Sequence, residues 1–168
     1  MSPRNPEVAI LMGSQSDWKV MKRAEIVLGE LGISSEAKII SAHRKPARLH
    51  SYINEAEEKG VKVFIAGAGM AAHLPGVISS LTTRPVLGVP LNATLDGMDS
   101  LLAIVQMPGG IPVGTLGIGG PGAKNAGLLA AAILATGNKS LEERIKAWRI
   151  ASAEALHEDP KDESELYF

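Results

Sequence analysis

Glu7-Val-Ala-Ile-Leu-Met12, followed at once by Gly13-Ser-Gln-Ser-Asp17, decides the fold. The unbroken apolar run reads as a strand covered on both faces, as strands of parallel sheets are. Gly13-Ser14 turns the chain. Ser16 or Asp17 then offers a side-chain oxygen to cap a helix. That helix runs to about Leu31, where Gly32 stops it.

The same strand–turn–helix unit recurs along the chain. Glu36 to Ile40 is a second strand, and Pro46 opens a helix that Gly60 ends. Val61 to Ala66 is a third strand, after which Gly67, Gly69 and Gly76 bracket a tight loop and a short helix. Pro85 to Val89, a helix from Met98 to Gln106, Val113 to Ile118 and an Ala-rich helix opened by Pro121 complete the series near Gly137. Five βα units in a row predict a parallel sheet with helices on both faces. The expected architecture is a single-domain, flavodoxin-like three-layer α/β fold with strand order 2-1-3-4-5. One domain is expected over residues 1–168, with its core at about 7–137. A C-terminal helix follows at about 140–156, carrying Leu141, Ile145 and Trp148 at helical spacing. The acidic tail at 157–168 is expected to be mobile.

Composition narrows the function. The 168 residues are 45% hydrophobic and 21% charged, and the net charge of −1 supplies no field to hold a polyanion. Nucleic acid is therefore not an expected partner, whereas one small phosphate needs only one or two local cations. The absence of cysteine removes disulfides, thiolate nucleophiles and Cys-bound metals from consideration. Met1 to Pro6 is polar, and the apolar run Ala126 to Ala135 is about half of the ~20 residues that span a bilayer. A cytoplasmic location without membrane attachment is expected. The triplets Asn92-Ala-Thr94 and Asn138-Lys-Ser140, which match a glycosylation acceptor, then count as noise.

In open α/β sheets ligands bind outside the carboxyl ends of the strands, where strand order reverses. For order 2-1-3-4-5 the loops that meet there are 13–17, 41–44 and 67–76. The first has backbone N–H groups at a helix start, a natural anion site, with Ser14 and Ser16 as added donors. Asp17 would repel a phosphate and suits a sugar hydroxyl, unless it serves only as a cap. In Ser41-Ala-His43-Arg44, the arginine fork suits phosphate. Histidine is the side chain that gives and takes a proton near neutral pH. In the third loop small residues, Gly69 among them, let backbone approach a ligand closely. His73 there reads equally well as a substrate contact or as a buried imidazole bonded to backbone. His50 and His157 read as surface residues.

Other motifs carry less. No metal-ligand spacing, nucleophile elbow or Walker loop is present. Gly117-Ile-Gly119-Gly-Pro-Gly122 matches Gly-x-Gly-x-x-Gly, but the strand with an acidic end that a dinucleotide site requires does not follow, and Pro121 as a helix starter explains it more simply. The rigid segment Gln106 to Gly114 enters the fifth strand at the end opposite the ligand face. The helix Lys124 to Ala135 is apolar almost all round, as a helix between subunits would be. Both features point to an oligomer; the alternative for the helix is burial deep in the core of a single chain.

Several of these segments together resemble one family. Met12-Gly-Ser-Gln-Ser-Asp17, Ser41-Ala-His-Arg44, Ala66-Gly-Ala-Gly-Met-Ala-Ala-His-Leu-Pro-Gly76, Pro85-Val-Leu-Gly-Val-Pro90 and Gln106-Met-Pro-Gly-Gly-Ile-Pro-Val-Gly-Thr115 are similar to the PurE family of N5-carboxyaminoimidazole ribonucleotide mutases. The resemblance implies a flavodoxin-like homo-octamer that needs no metal, ATP or organic cofactor. It implies that a carboxylate moves from the exocyclic nitrogen of the ribonucleotide to ring carbon C4. The substrate-binding positions fall on Ser14, Asp17, Ser41 and Arg44, and the proton-transferring one on His43. His73 falls near the ring and the migrating carboxylate. A pocket lined by Gly69, Met70 and Ala71 is expected to retain carbon dioxide between the two half-reactions.

A related branch carboxylates aminoimidazole ribonucleotide directly with carbon dioxide. It carries Lys at the Arg44 position and lacks the Ala71–Gly76 run, so this chain has the mutase forms at both places. Met70 and Gly109 depart from the family pattern, where Gly and Arg or Ala are frequent. A regulatory or flavin-binding flavodoxin-like module is the non-enzymatic alternative, but a receiver would need an acidic end to the third strand, which here is Ala66-Gly67.

Overall fold

The structure is a computed structural model and describes residues 5–156. Its first half runs β1 (Val8–Met12), a 3₁₀ turn (Gln15–Asp17), α1 (Trp18–Glu30), β2 (Ser35–Ile39), α2 (Pro46–Glu58) and β3 (Val63–Ala68). The second half runs α3 (Leu74–Leu81), β4 (Val86–Pro90), α4 (Met98–Val105), β5 (Gly114–Thr115), α5 (Gly119–Ala135) and α6 (Lys139–Glu154). The five strands form one sheet in the order β2-β1-β3-β4-β5, with every pairing parallel. The expected tail, 157–168, lies outside the described residues.

β1 is apolar throughout because it is covered on both edges and both faces. It pairs with β2 on one edge and β3 on the other. Val8, Ile10 and Met12 enter the core shared with α1, α5 and α6, while Ala9 and Leu11 enter the core shared with α2 and α3. Each large side chain buried there contributes about 1.5–3 kcal/mol. The outer strand β2 is protected differently: Glu36 and Lys38 form an ion pair on it at 3.2 Å, and charge discourages a further strand from adding to a sheet edge.

Several boundaries differ from expectation. β3 begins at Val63 and continues through Gly67 and Ala68, because Gly67 is paired with Met12 on one side and Val89 on the other. β5 pairs over Gly114–Thr115 alone, extended by one bond from Leu116 N–H to the Gly88 carbonyl. The Ala-rich helix is buried mostly by its own chain: Ala123, Ala126, Gly127, Ala130 and Ala131 pack inward, against α1 and the sheet, and Leu129 remains exposed. α6 is stapled across this layer. Its Trp148 Nε1 donates to Glu30 at 2.8 Å, Arg144 Nε donates to the Leu31 carbonyl at 3.0 Å, and Lys124 Nζ lies 5.0 Å from the Trp148 ring centre.

The Gly-x-Gly-x-x-Gly segment is explained by packing. Gly119 has φ +73°, and a Cβ on Gly122 would overlap the Gly117 carbonyl oxygen. At Gly127 a Cβ would overlap Val27 Cγ1 and stand 3.0 Å from the Ala24 carbonyl. Gly127→Ala therefore sets a gain of about 1 kcal/mol in helix propensity against an overpacking cost of about 1–3 kcal/mol. Net destabilisation is expected, read as a lower denaturation midpoint in urea; a raised midpoint would show that α1 and α5 can part at no cost.

Buried Tyr52 donates to Glu36 Oε1 at 2.9 Å. Burial, then the Glu36 carboxylate, pushes the phenol upward. For Glu36, burial alone would raise the carboxyl, but hydrogen bonds from Tyr52 and Lys38 outweigh it and hold the group below its ordinary 4.5. A lowered carboxyl stabilises the fold above 4.5, and that contribution is lost as pH falls through the lowered value. Tyr52→Phe should cost about 1.5 kcal/mol at neutral pH. The difference from wild type should shrink in urea titrations taken progressively below pH 4.5.

Candidate active site

Parallel pairing brings the ends of β1, β2, β3 and β4 to one rim, and the loops leaving them enclose a cavity of about 820 Å³. Gly13, Ser14, Asp17, Ser41, His43, Arg44, Gly69, Met70 and His73 all line it. Three turns far apart in the chain thus share one cradle, as the strand order requires. Of the residues expected around the ring, Ala71 is the exception: it is exposed and does not line the cavity, whereas buried Ala72 does.

The first loop is held by reciprocal capping. Ser14 is the N-cap of the 3₁₀ turn that precedes α1, while Asp17 stands at the N-cap position of α1 itself and makes no side-chain cap bond there. Ser14 Oγ accepts from Ser16 N–H at 3.3 Å, and Asp17 Oδ2 accepts from Ser14 N–H at 3.0 Å. Asp17 is therefore structural through one oxygen, while the other has only a long contact, 3.5 Å, with Ser16 Oγ. The second loop is tied to the first. Arg44 donates to the Gly13 carbonyl at 2.8 Å, and its own N–H reaches Ser41 Oγ at 3.3 Å. One arm of the guanidinium fork is thus occupied by protein, and its remaining donors are available to an anion.

The third loop carries the strain. Met70 and Ala72 have φ of 56° and 44°, a left-handed region that costs a non-glycine residue about 1–2 kcal/mol. Met70 takes a glycine-like backbone conformation while its side chain is exposed. The product of this bend is a contact between imidazoles: His73 Nδ1 lies 2.7 Å from His43 Nε2, with the rings 4.9 Å apart and nearly perpendicular. Of the two uses open to His73, the structure brings it to the cavity and to His43.

A fourth wall was missed in the sequence. Leu91, Asn92, Ala93 and Thr94, on the loop after β4, line the cavity opposite Gly69. The signal for it is that β4 borders β3 in the expected order, although Asn92-Ala-Thr94 reads locally as a chance match. A larger cavity of about 890 Å³ lies toward the start of β4, between Ser79–Pro85 and Gly110–Pro112. It holds no histidine, and its Glu57 is engaged by the Thr82 hydroxyl. Gly110, Ile111, Pro112 and Gly114 of the Gln106–Gly114 segment line that opposite end. Among the described residues no group of three or more His, Asp or Glu could hold a metal ion.

A flavodoxin-like sheet with serines, an arginine and two facing imidazoles around one cavity at its carboxyl rim has the layout of an enzyme that acts on a small molecule. The AIR carboxylase family model matches residues 7–155, and the chain belongs to that family. It is 55% identical over 159 residues to the N5-carboxyaminoimidazole ribonucleotide mutase of Brucella melitensis, covering 94% of this chain and 98% of that protein. It is 53% identical over 163 residues to the mutase of the same name from Escherichia coli, covering 95% and 96%. The crystal structure of Treponema denticola PurE superposes with a TM-score of 0.80 at 28% identity, covering 89% of this chain and 92% of that one.

Asp17→Ala should remove one arm of the capping pair and cost about 1 kcal/mol of stability. Asp17→Asn keeps an acceptor oxygen and should stay within about 0.5 kcal/mol of wild type. Thermal denaturation compares them, and an equal loss in both would mean that charge, not acceptor geometry, holds the turn.

Proposed function

We propose that this protein is a mutase of purine biosynthesis that converts N5-carboxyaminoimidazole ribonucleotide to 4-carboxy-5-aminoimidazole ribonucleotide. The observation that carries this is His43 at the rim of a cavity that also holds Ser14, Asp17, Ser41 and Arg44. Relatives above 50% identity named as mutases support the reaction type. The mutase forms at Arg44 and Ala71–Gly76 favour it over direct carboxylation.

The free donors of Arg44, with the hydroxyls of Ser14 and Ser41, hold the ribonucleotide phosphate. Asp17 accepts from ribose hydroxyls through its second oxygen. Protonated His43 donates to the exocyclic nitrogen as its carboxylate departs as carbon dioxide. The gas is retained beside Gly69, Met70 and His73. Carbon C4 of the aminoimidazole, electron-rich like an enamine carbon, attacks it, and neutral His43 then removes the C4 proton. One imidazole acts first as acid and then as base, so no net proton and no cofactor is consumed. Holding the carbon dioxide supplies a proximity effect, for which effective molarities reach about 10⁵ M and more.

The chain works as a cytoplasmic homo-octamer in this proposal. Its support is an apolar stripe on α4, where Met98, Leu102 and Val105 are exposed at helical spacing next to exposed Leu95. No helix of the described residues is long and apolar enough to cross a membrane. A neighbouring copy would also help dry a cavity in which His43, Arg44 and His73 are exposed in the single chain.

Purified protein should convert the N5-carboxylated ribonucleotide at a rate independent of added bicarbonate; dependence on bicarbonate would favour direct carboxylation. His43→Asn should lower turnover by about 10²–10⁴-fold while ribonucleotide binding, measured by calorimetry, persists. Turnover at the wild-type rate in that variant would remove His43 from the chemistry.

A further inference from the structure

The groups suited to a phosphate lie at one end of the cavity. Arg44 is the only Lys or Arg that lines it among the described residues, and its guanidinium is tied to the Gly13 carbonyl at 2.8 Å. With Ser14 and Ser41 it belongs to the loops after β1 and β2. The opposite end is walled by the loop after β4, whose Asn92 and Thr94 line the cavity. In the order β2-β1-β3-β4, three strand spacings of about 4.8 Å set the two ends about 14 Å apart. A ribonucleotide with a hydrogen bond at each end bridges that span.

The loop after β4 is tied at both ends. Leu91 N–H donates to the Ala68 carbonyl at 2.9 Å, and the buried Ser100 hydroxyl of α4 donates to the Leu91 carbonyl at 2.9 Å. The chain then turns through positive φ at Asp96 and Gly97, 51° and 84°, and Met98 N–H closes the turn on the Leu95 carbonyl at 3.0 Å. At Gly97 a Cβ would overlap Ile118 Cγ2 and stand 3.5 Å from Asn92 Cα, so the end of the loop packs against its beginning. Ala93 meets the third turn, where a Cβ on Gly69 would stand 3.6 Å from Ala93 Cβ. Asn92 and Thr94, on either side of Ala93, are exposed. Unlike Ser100, their side chains take no part in hydrogen bonds among the described residues.

The chemistry fixes what such a wall should offer. In the mutase reading the substrate carries two anionic groups, and only the phosphate keeps its charge throughout. The migrating carboxylate becomes neutral carbon dioxide and then a carboxylate again. A Lys or Arg beside it would stabilise the anion of the ground state more than the neutral gas. That would raise the barrier to departure, because only interactions stronger in the transition state accelerate a step. A neutral amide and a hydroxyl orient the carboxylate oxygens without holding the charge as strongly.

We propose that Asn92 and Thr94 are specificity residues for the migrating carboxylate: the Asn92 amide and the Thr94 hydroxyl donate to its oxygens and so distinguish carboxylated from uncarboxylated ribonucleotide. This rests on the mutase reading. The phosphate is held by a cation at the β2 end of the rim, and the carboxylate by neutral donors at the β4 end. The tied loop keeps those donors in place whether the carboxyl carbon is bonded to the exocyclic nitrogen or to C4.

The test compares two ligands, 4-carboxy-5-aminoimidazole ribonucleotide and uncarboxylated 5-aminoimidazole ribonucleotide, titrated by calorimetry into the full-length protein. Asn92→Asp keeps the size of the side chain but replaces its donor with a like charge, and Thr94→Val removes only the hydroxyl. The dissociation constant of the carboxylated ligand should rise by about 10-fold in Thr94→Val and by about 100-fold in Asn92→Asp. That of the uncarboxylated ligand should stay within about 2-fold, which also reports that the site is folded. Equal losses for both ligands, or no loss for either, overturn the proposal. So does a crystal structure of the wild-type complex in which no carboxylate oxygen lies within about 3.2 Å of Asn92 Nδ2 or Thr94 Oγ1, a result that needs no variant to fold. Wild-type turnover with the same ratio of affinities in the variants removes this inference alone. A wild type that binds neither ribonucleotide removes the mutase reading with it.

Discussion

The parallel pairing of β1 between β2 and β3 is the constraint on which the molecule depends. Because the strands run the same way, every loop that leaves a carboxyl end emerges on one rim, and every loop that enters a strand emerges on the other. The chemistry-bearing turns 13–17, 41–44 and 69–73 follow strands and so share a cradle. The rigid Gln106–Gly114 segment precedes a strand and so stands at the far end. The pairing holds only because β1 is apolar on both faces, which lets helices cover it from either side.

On that rim, the groups that line the cavity also hold its turns together. Asp17 closes the first turn through one carboxylate oxygen, and Arg44 ties the second turn to the first through the Gly13 carbonyl. Each side chain spends part of its bonding capacity on the protein, and both also line the cavity. The third loop spends conformational energy instead: Met70 and Ala72 adopt backbone angles that glycine would take freely, and the bend delivers His73 to His43.

The glycine-rich stretch before α5 shows the opposite allocation. Its spacing imitates a dinucleotide fingerprint, yet Gly119 serves a left-handed turn and Gly122 a backbone approach to Gly117. Small residues on α5 let it lie close to α1, and α6 is then fastened over both through Arg144 and Trp148. An apolar helix that looked suited to a subunit boundary is mostly consumed inside the chain, and the exposed apolar stripe lies on α4 instead.

Local features were legible in the sequence because they depend on neighbours within a few residues. The buried run Val8–Met12, the helix opened by Pro46, the stop at Gly32 and the order of five βα units all follow from propensity, periodicity and chain sterics. The candidate residues of the three turns were legible for the same reason, once strand order said which ends meet. Distances between turns are another matter. Nothing near residue 43 in the chain specifies an imidazole 30 positions away at 2.7 Å, nor does Asn92 reveal locally that its loop walls the cavity. The choice of Ser14 over Ser16 as cap and the two-residue span of β5 were likewise decided by how the chain enters α1 and how it meets the sheet edge. Those outcomes belong to tertiary structure, because only the packed sheet sets the separation and angle at which its loops face one another.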